Sequence, residues 1–417
     1  LNGNQLFHNN GDGTFTDVTR KAGVPGGQYK GRQMWSVAAA WVDYNNDGLL
    51  DLFVSNYCVW NPATEQPCFV NGIRISCNPR YYDPLPHTLY RNNGDGTFTD
   101  VSGDVGLSEH LGRGMGVAVA DYDADGWPDL FIANDDSPNQ LFHNLAGKRF
   151  EEVALSAGVA LAEGGTVISG MGADFRDIFG DGRPSIWLTA MEKQTFPLFR
   201  NLGQGQFSER TTAAGLAWET DAMSGWGNGI FDFDNDGLKD LFVARSNVSD
   251  NIALFSSRRH AEPNAVFHNL GNGKFKNVSA AAGESFQIPA VHRGVAFGDL
   301  DNDGRVDAVV SVLNGPARVF HNTTRNSNHW LLLKLSGTKS NRMGLGAKVR
   351  LTAGGAVQYN HATASTGYAS SSDPRVHFGL GAAATTSEIQ IEWPSGMRQT
   401  LKDVPADRVL TVTEPSR

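Results

Sequence analysis

Nine residues, Asp121-Tyr122-Asp123-Ala124-Asp125-Gly126-Trp127-Pro128-Asp129, put carboxylates at the first, third, fifth and ninth positions of one loop. Alternate residues of a tight loop turn inward, so the first three carboxylates converge and Asp129 can close the far side. The carbonyl of Trp127, at position seven, can add a further oxygen. A hard divalent cation wants six to eight oxygens, and Ca²⁺ accepts them in flexible geometry. Gly126 allows the positive φ that a sharp turn at position six needs. The chemistry implied is the holding of a cation, with a β-prone run starting at Asp129.

The pattern returns. Asp43, Asn45, Asp47 and Asp51 form one copy, with the carbonyl of Leu49 at position seven. Asp232, Asp234, Asp236 and Asp240 form another, with Leu238 at seven. Asp299, Asp301, Asp303 and Asp307 form a fourth, with Arg305 at seven. A fifth stretch, 177–185, keeps the outline but carries Phe179 at position three and Ser185 at nine, and reads as a loop that has lost its metal. Each copy is like an EF-hand loop cut short, with a strand in place of the exit helix. Asp-x-Asn-x-Asp-Gly also makes tight turns without an ion, because Asp and Asn bond their own backbone. A turn alone, however, has no need of several mutually repelling carboxylates, repeated four times. The expectation is about four structural Ca²⁺ ions.

A second phrase alternates with the loops. Asn4 to Val18 runs as a short strand, an Asn-Gly-Asp-Gly turn and a second short strand, which is a hairpin signature. It recurs near residues 87–101, 139–153, 197–211 and 265–278, with a partial copy at 317–322. Combining the phrases gives strand, loop, strand, strand, turn, strand; in the second copy the strands are expected at 114–120, 130–133, 140–143 and 150–153. Loop starts lie roughly 55 to 80 residues apart, the spacing of propeller blades with insertions. Short glycine-rich first strands such as Gly114-Met115-Gly116 suit a crowded central axis.

The expected fold is therefore all-β: a β-propeller of six or seven four-stranded blades over residues 1–322, with a small C-terminal β-sandwich-like domain over 323–417. The chain opens at Leu1 inside a repeat, so upstream sequence is expected to belong to it. C-terminal strands are expected at 330–335, 347–351, 356–362, 376–378, 389–393, 399–401 and 409–412. Residues 57–86 form an insertion holding Cys58, Cys68 and Cys77, for which one disulfide, Cys68–Cys77, is expected, with Cys58 free.

The net charge of −9 is nearly cancelled by four divalent ions and offers no basic stripe for nucleic acid. No apolar run approaches the roughly 20 residues of a membrane span. A disulfide and calcium loops fit a secreted, periplasmic or cell-surface setting.

The loops, with phrases such as Ala296-Phe297-Gly298-Asp299, resemble the FG-GAP/VCBS repeats of integrin-α-type propellers. Gly337-Thr338-Lys339-Ser340-Asn341-Arg342, His377-Phe378-Gly379-Leu380-Gly381 and Ile391-Glu392-Trp393-Pro394-Ser395-Gly396 resemble the ASPIC/UnbV domain. The pairing is similar to that of bacterial relatives of cartilage acidic protein. The resemblance implies a Ca²⁺-loaded propeller, usually secreted, with no well-defined biochemical activity.

Recurring Phe-His-Asn histidines, His8, His143, His268 and His321, read as strand-end residues satisfied by neighbouring turns, since a catalytic histidine is not expected once per blade. His292-Arg293, Glu192 and Lys193 occupy loops that could face an end of the channel. No nucleophile elbow, phosphate loop or His-Glu-x-x-His is present. Three functions follow: a secreted calcium-bearing propeller binding a protein or glycan through its blade-connecting loops, an enzyme (lyase, cyclase or hydrolase) working in the axial channel, or a purely structural surface module. Convergent titratable groups in an open channel favour the enzyme; a plugged channel beside exposed aromatic loops favours binding.

Overall fold

The computed structural model describes residues 3–416. Four antiparallel sheets follow one another, each four strands in chain order. Sheet 1 comprises Ser36–Val42, Asp51–Asn56, Thr88–Asn92 and Phe98–Asp100; sheet 2 comprises Gly114–Ala120, Asp129–Asn134, Gln140–Asn144 and Phe150–Glu152. Sheet 3 comprises Ala173–Arg176, Ser185–Leu188, Leu198–Gly203 and Gln206–Glu209; sheet 4 comprises Gly225–Phe231, Asp240–Arg245, Ala265–Asn269 and Phe275–Asn277. Sheet 5 has three strands, His292–Gly298, Asp307–Val312 and Arg318–Phe320. The opening hairpin, Phe7–Asn9 with Phe15–Asp17, pairs only with itself and rests Leu6 and Val18 on Leu52, Val54 and Tyr90 of sheet 1.

The second strands of sheets 1 to 4 are almost wholly buried, as in Asp129–Asn134 and Asp51–Asn56, whereas that of sheet 5 is partly exposed. The buried runs carry apolar side chains on both faces because both faces are covered there. Phe131 and Leu141 of sheet 2, Phe175, Ile186 and Trp187 of sheet 3, and Ile230, Leu241 and Phe267 of sheet 4 share one core. Phe242, Phe297, Val306 and Val310 join sheets 4 and 5. Burying a Phe or Leu in such a layer stabilises the fold by about 1.5–3 kcal/mol. First strands stand beside first strands in the order 1-2-3-4-5, forming an arc. Within each sheet the loop joining strands one and two lies at one end, and the connection joining strands two and three lies at the other.

The C-terminal region holds two sheets on a core of Leu331, Leu333, Leu351, Phe378, Ile389, Ile391 and Trp393. One is Val376–Gly381, His329–Ser336 and Arg408–Thr413; the other is Ala356–His361, Lys348–Ala353, Thr385–Glu392 and Arg398–Pro405. Residues 363–373 leave these sheets as a hairpin strap, closed by a bridge between Ser365 and Ser371, and enter the inner side of the arc. Gly367 donates to the Ala173 carbonyl at 2.8 Å, Asp373 donates to the Phe297 carbonyl at 2.8 Å, and Ser365 Oγ donates to the Val117 carbonyl at 2.7 Å. The first-strand glycines make room: a Cβ on Gly294 would stand 2.6 Å from Ser370 Oγ, and one on Gly298 would stand 2.9 Å from Asp373 Cβ. The crowding expected at the axis is therefore imposed by a segment of the C-terminal region.

The insertion folds as a small hairpin, Cys68–Val70 with Ile73–Ile75. The Cys68–Cys77 disulfide closes it, and Cys58 is free and buried. Asn251 Nδ2 reaches the Arg74 carbonyl at 2.6 Å, so the insertion of sheet 1 touches a loop of sheet 4. Among the described residues no helix is long and apolar enough to cross a membrane.

Candidate functional site

All five acidic loops adopt one backbone. The position-one carboxylate accepts amides from positions five and six: Asp121 takes Asp125 N at 3.1 Å and Gly126 N at 2.8 Å, and Asp232 takes Asp236 N at 3.2 Å and Gly237 N at 2.8 Å. The same pair of bonds recurs at Asp43 and Asp299. Position six is left-handed in each, with φ of 94° at Gly126 and 93° at Gly237. Position four is left-handed too, at Asn46, Ala124, Asn235 and Asn302. The ninth carboxylate bonds back to the amide of position two, as Asp129 does to Tyr122 and Asp240 to Phe233. Position-seven residues Leu49, Trp127, Leu238 and Arg305 donate their amides to the fifth carboxylate.

The side chains then converge. Asp121, Asp123 and Asp125 form one cluster and Asp232, Asp234 and Asp236 another. Asp123 and Asp129 also cluster with His143, Asp234 and Asp240 with His268, and Asp301 and Asp307 with His321. His143 Nδ1 lies 3.3 Å from Asp129, His268 Nδ1 3.1 Å from Asp240, and His321 Nδ1 3.1 Å from Asp307. His143, His268 and His321 thus answer to the loops of their own sheets, whereas His8 lies on the opening hairpin, which carries no such loop. The signal was their place directly before an Asn whose amide meets the ninth carboxylate, as at Asn144 and Asn269. In the first loop Asn45 turns its amide to Asp47 at 2.8 Å, and Arg91 takes the histidine's slot.

Burial pushes Asp129 and Asp51 up to about 7 and Asp43 up to about 6, and raises Asp232 well above the usual carboxylate range. Hydrogen bonds to the ninth carboxylates push His143 and His268 up to about 9. Apart from these imidazoles and the Lys348 ammonium beside Asp121, the crowded, half-desolvated carboxylates lack counter-charge. The donor set, mainly oxygen with one imidazole at its edge, fits a hard divalent cation. Bound there, an ion would tie the end of each first strand to the start of the second.

Loop 177–185 differs. Asp177 keeps the amides of Gly180 and Gly182, both at 2.8 Å. Asp181 is taken by Arg183 at 2.9 Å and Arg200 at 3.0 Å, and Arg200 stacks on Phe179 at 4.7 Å.

The C-terminal region sits on this loop-bearing end. Lys348 Nζ pairs with Asp121. Gly381 N donates to the Asn235 carbonyl at 2.9 Å, and Arg375 reaches the Asp299 carbonyl at 2.7 Å and Asn302 Oδ1 at 2.6 Å. Sequence reading missed these contacts, since nothing local marks a surface lysine on a strand as a partner for an acidic loop over two hundred residues earlier.

At the opposite end, the strap tip brings Tyr368 to 5.1 Å from Trp226, and Arg293 lies 3.9 Å over the same Trp226 ring. Met115, Met171, Tyr57 and Val248 complete this apolar plug. Desolvation lowers Arg293 to about 10. His292 is fully buried, bonded to the carbonyls of Arg245 and Glu262. Glu192 pairs with Arg258 at 3.2 Å. On the rim, Phe69 is 58% and Tyr81 73% exposed; Trp35 and Trp60 lie at the same end, their rings tilted at 53° and 5.9 Å apart.

Comparison with known proteins agrees with this layout. Residues 2–54, 86–132, 121–188 and 232–310 match the FG-GAP-like repeat family, and residues 337–417 match the ASPIC and UnbV family. Cartilage acidic protein 1 of Homo sapiens is 25% identical over 373 residues, covering 86% of this chain and 50% of that protein. The Mus musculus protein is 25% identical over 395 residues, covering 90% and 54%. The chain thus spans about half the length of these curated relatives. An Agrocybe aegerita lectin, described as recognising non-reducing terminal N-acetylglucosamine, aligns at a TM-score of 0.40 and 17% identity, covering 77% of this chain and 75% of that one. The repeat matches alone take in more than half of the residues, and the chain belongs to the FG-GAP-like repeat proteins, joined here to a C-terminal ASPIC and UnbV domain.

Proposed function

We propose that this chain is a secreted calcium-binding β-propeller, its ions structural, that binds a protein or glycan partner through the loops joining its blades. The observation that carries the reading is the strap. An enzyme of the axial channel needs an open cavity with convergent titratable groups. Residues 363–373 occupy that space with backbone bonds to sheets 3 and 5, and the cavity of about 360 Å³ left on the sheet 1 side is lined by alanines, serines, Val37, Leu52 and Trp41, with no titratable group. What stays accessible at the far end is a rim with exposed Phe69 on a disulfide-closed hairpin and exposed Tyr81 on the short turn that follows it. Large exposed aromatics on a braced loop are the usual anchors of recognition surfaces.

A glycan array and a panel of extracellular-matrix proteins, read with calcium-loaded protein, test this. A hit weakened at least tenfold by Phe69→Ala with Tyr81→Ala, at unchanged melting temperature, supports the rim. Binding that the double substitution leaves intact overturns the assignment to these loops.

A further inference from the structure

A cavity of about 770 Å³ opens between the C-terminal region and the first three acidic loops. It lies at the loop-bearing end, away from the rim just discussed. Its floor is the outer face of the four-stranded C-terminal sheet. Strand register lays Tyr359, Arg350, Gln390 and Thr400 side by side across all four strands, and His361, Lys348, Glu392 and Arg398 in the adjacent row. The opposite wall comes from the arc and includes Trp41, Tyr122 and Arg183. Trp41 is 36% exposed.

We propose that this cleft binds a short carboxylate-bearing oligosaccharide. Its volume falls within the range of small-ligand pockets, about 300–1,000 Å³. The first floor row joins one ring, one guanidinium, one amide and one hydroxyl, a set that bonds hydroxyls and stacks on a sugar face. Arg350 is held only by a 3.4 Å contact to Glu388, which leaves donors for the forked recognition of a carboxylate. On the wall, Arg183 Nε is buried without a partner. The floor is the face of a sheet and not its edge, so it offers no unpaired backbone to an extended peptide. Charge completes the case. The cationic groups are Lys348, Arg350, Arg183 and Arg398, and the carboxylates of Asp43, Asp121, Asp123, Asp177 and Glu392 also line the space, with Glu392 beside Arg398. Ions held by the first two complete loops would consume Asp43, Asp121 and Asp123 and leave four cationic groups against Asp177 and Glu392; this clause rests on the calcium reading.

Isothermal titration of the calcium-loaded chain with tri-galacturonate tests the proposal, with bound metal counted on the same sample. Saturable binding is expected, weakened at least tenfold by Arg350→Ala and by Thr400→Trp, which fills the floor, and unchanged by Phe69→Ala with Tyr81→Ala. Maltotriose is expected not to compete. No binding of tri-galacturonate by metal-loaded protein overturns the proposal, as does binding that neither floor variant weakens or equal binding of maltotriose. A sample that holds no metal and yet binds through Arg350 sustains the cleft and sinks the calcium reading instead.

Discussion

Loops 121–129 and 177–185 share a backbone and differ in what sits inside it. Both bind two amides to the first carboxylate, and both place left-handed residues at positions four and six: Ala124 and Gly126 in one, Gly180 and Gly182 in the other. In the first loop Asp123, Asp125 and Asp129 crowd without counter-charge, apart from Lys348 on Asp121 and His143 on Asp129. In the other, Phe179 and Ser185 have removed two carboxylates, and Arg183 and Arg200 neutralise Asp181. The turn is thus common to both loops, and only the first keeps the carboxylates that an ion would need. An arginine lying on a phenylalanine takes, in one sheet, the place that a bound cation would take in its neighbours.

The largest expected effect follows from removing all ions together. Each site contributes about 2.7 kcal/mol at a hundredfold excess of metal over its dissociation constant, so EDTA should lower the melting temperature by more than about 10 °C, and calcium should restore it. Calorimetry checks this; an unchanged curve would mean that the intact loops are ion-free turns like the third.

Next in size, single substitutions should separate the loops. Asp123→Ala should remove one ion from the count by mass spectrometry of metals and cost about 2–3 kcal/mol. Asp181→Ala should leave the count unchanged and cost no more than about 1 kcal/mol, because its partners are part-exposed ion pairs. Equal metal loss from both would erase the distinction.

The comparison can also be reversed. Phe179→Asp, Ser185→Asp and Arg200→His together rebuild the third loop on the pattern of the second. One additional bound ion is expected. If none appears, backbone and carboxylates are insufficient, and the neighbouring contacts matter more than the motif.

Much of this was legible because the loop is a local device. Carboxylates at fixed spacing, a glycine at six and a β-prone exit specify it within nine residues, and the Cys68–Cys77 link was legible for the same reason. The strap was not. Thr363 to Asp373 is small and polar, a composition that reads as surface loop, and its burial depends on glycines of other sheets, Gly294 and Gly298 among them. The recurring histidines were read as satisfied by turns, and for His143, His268 and His321 the partners are the ninth carboxylates of their own sheets' loops, a pairing that needs strand register to be seen.

The smallest effect concerns pH and should have opposite signs in the two loops. Burial pushes Asp129 up to about 7 even with His143 beside it, against about 3.9 in an unfolded chain. The folded state then binds the extra proton, so in EDTA its contribution to stability falls as pH rises from about 4 through 7. Desolvation works upward on Asp181 too, but hydrogen bonds from Arg183 and Arg200 hold it below the usual carboxylate range. Its contribution is present above the unfolded value and is lost only as pH falls below it. In EDTA, melting temperature should therefore rise on going from pH 7.5 to 5.5. Asp129→Asn should flatten that slope, whereas Asp181→Asn should leave it alone. With calcium the slope should reverse, because protons then compete with the ion for the same oxygens. A slope insensitive to Asp129→Asn would mean that the buried carboxylates of the intact loops are already neutralised by protein groups, as Asp181 is, and the two loops would then be one kind of structure.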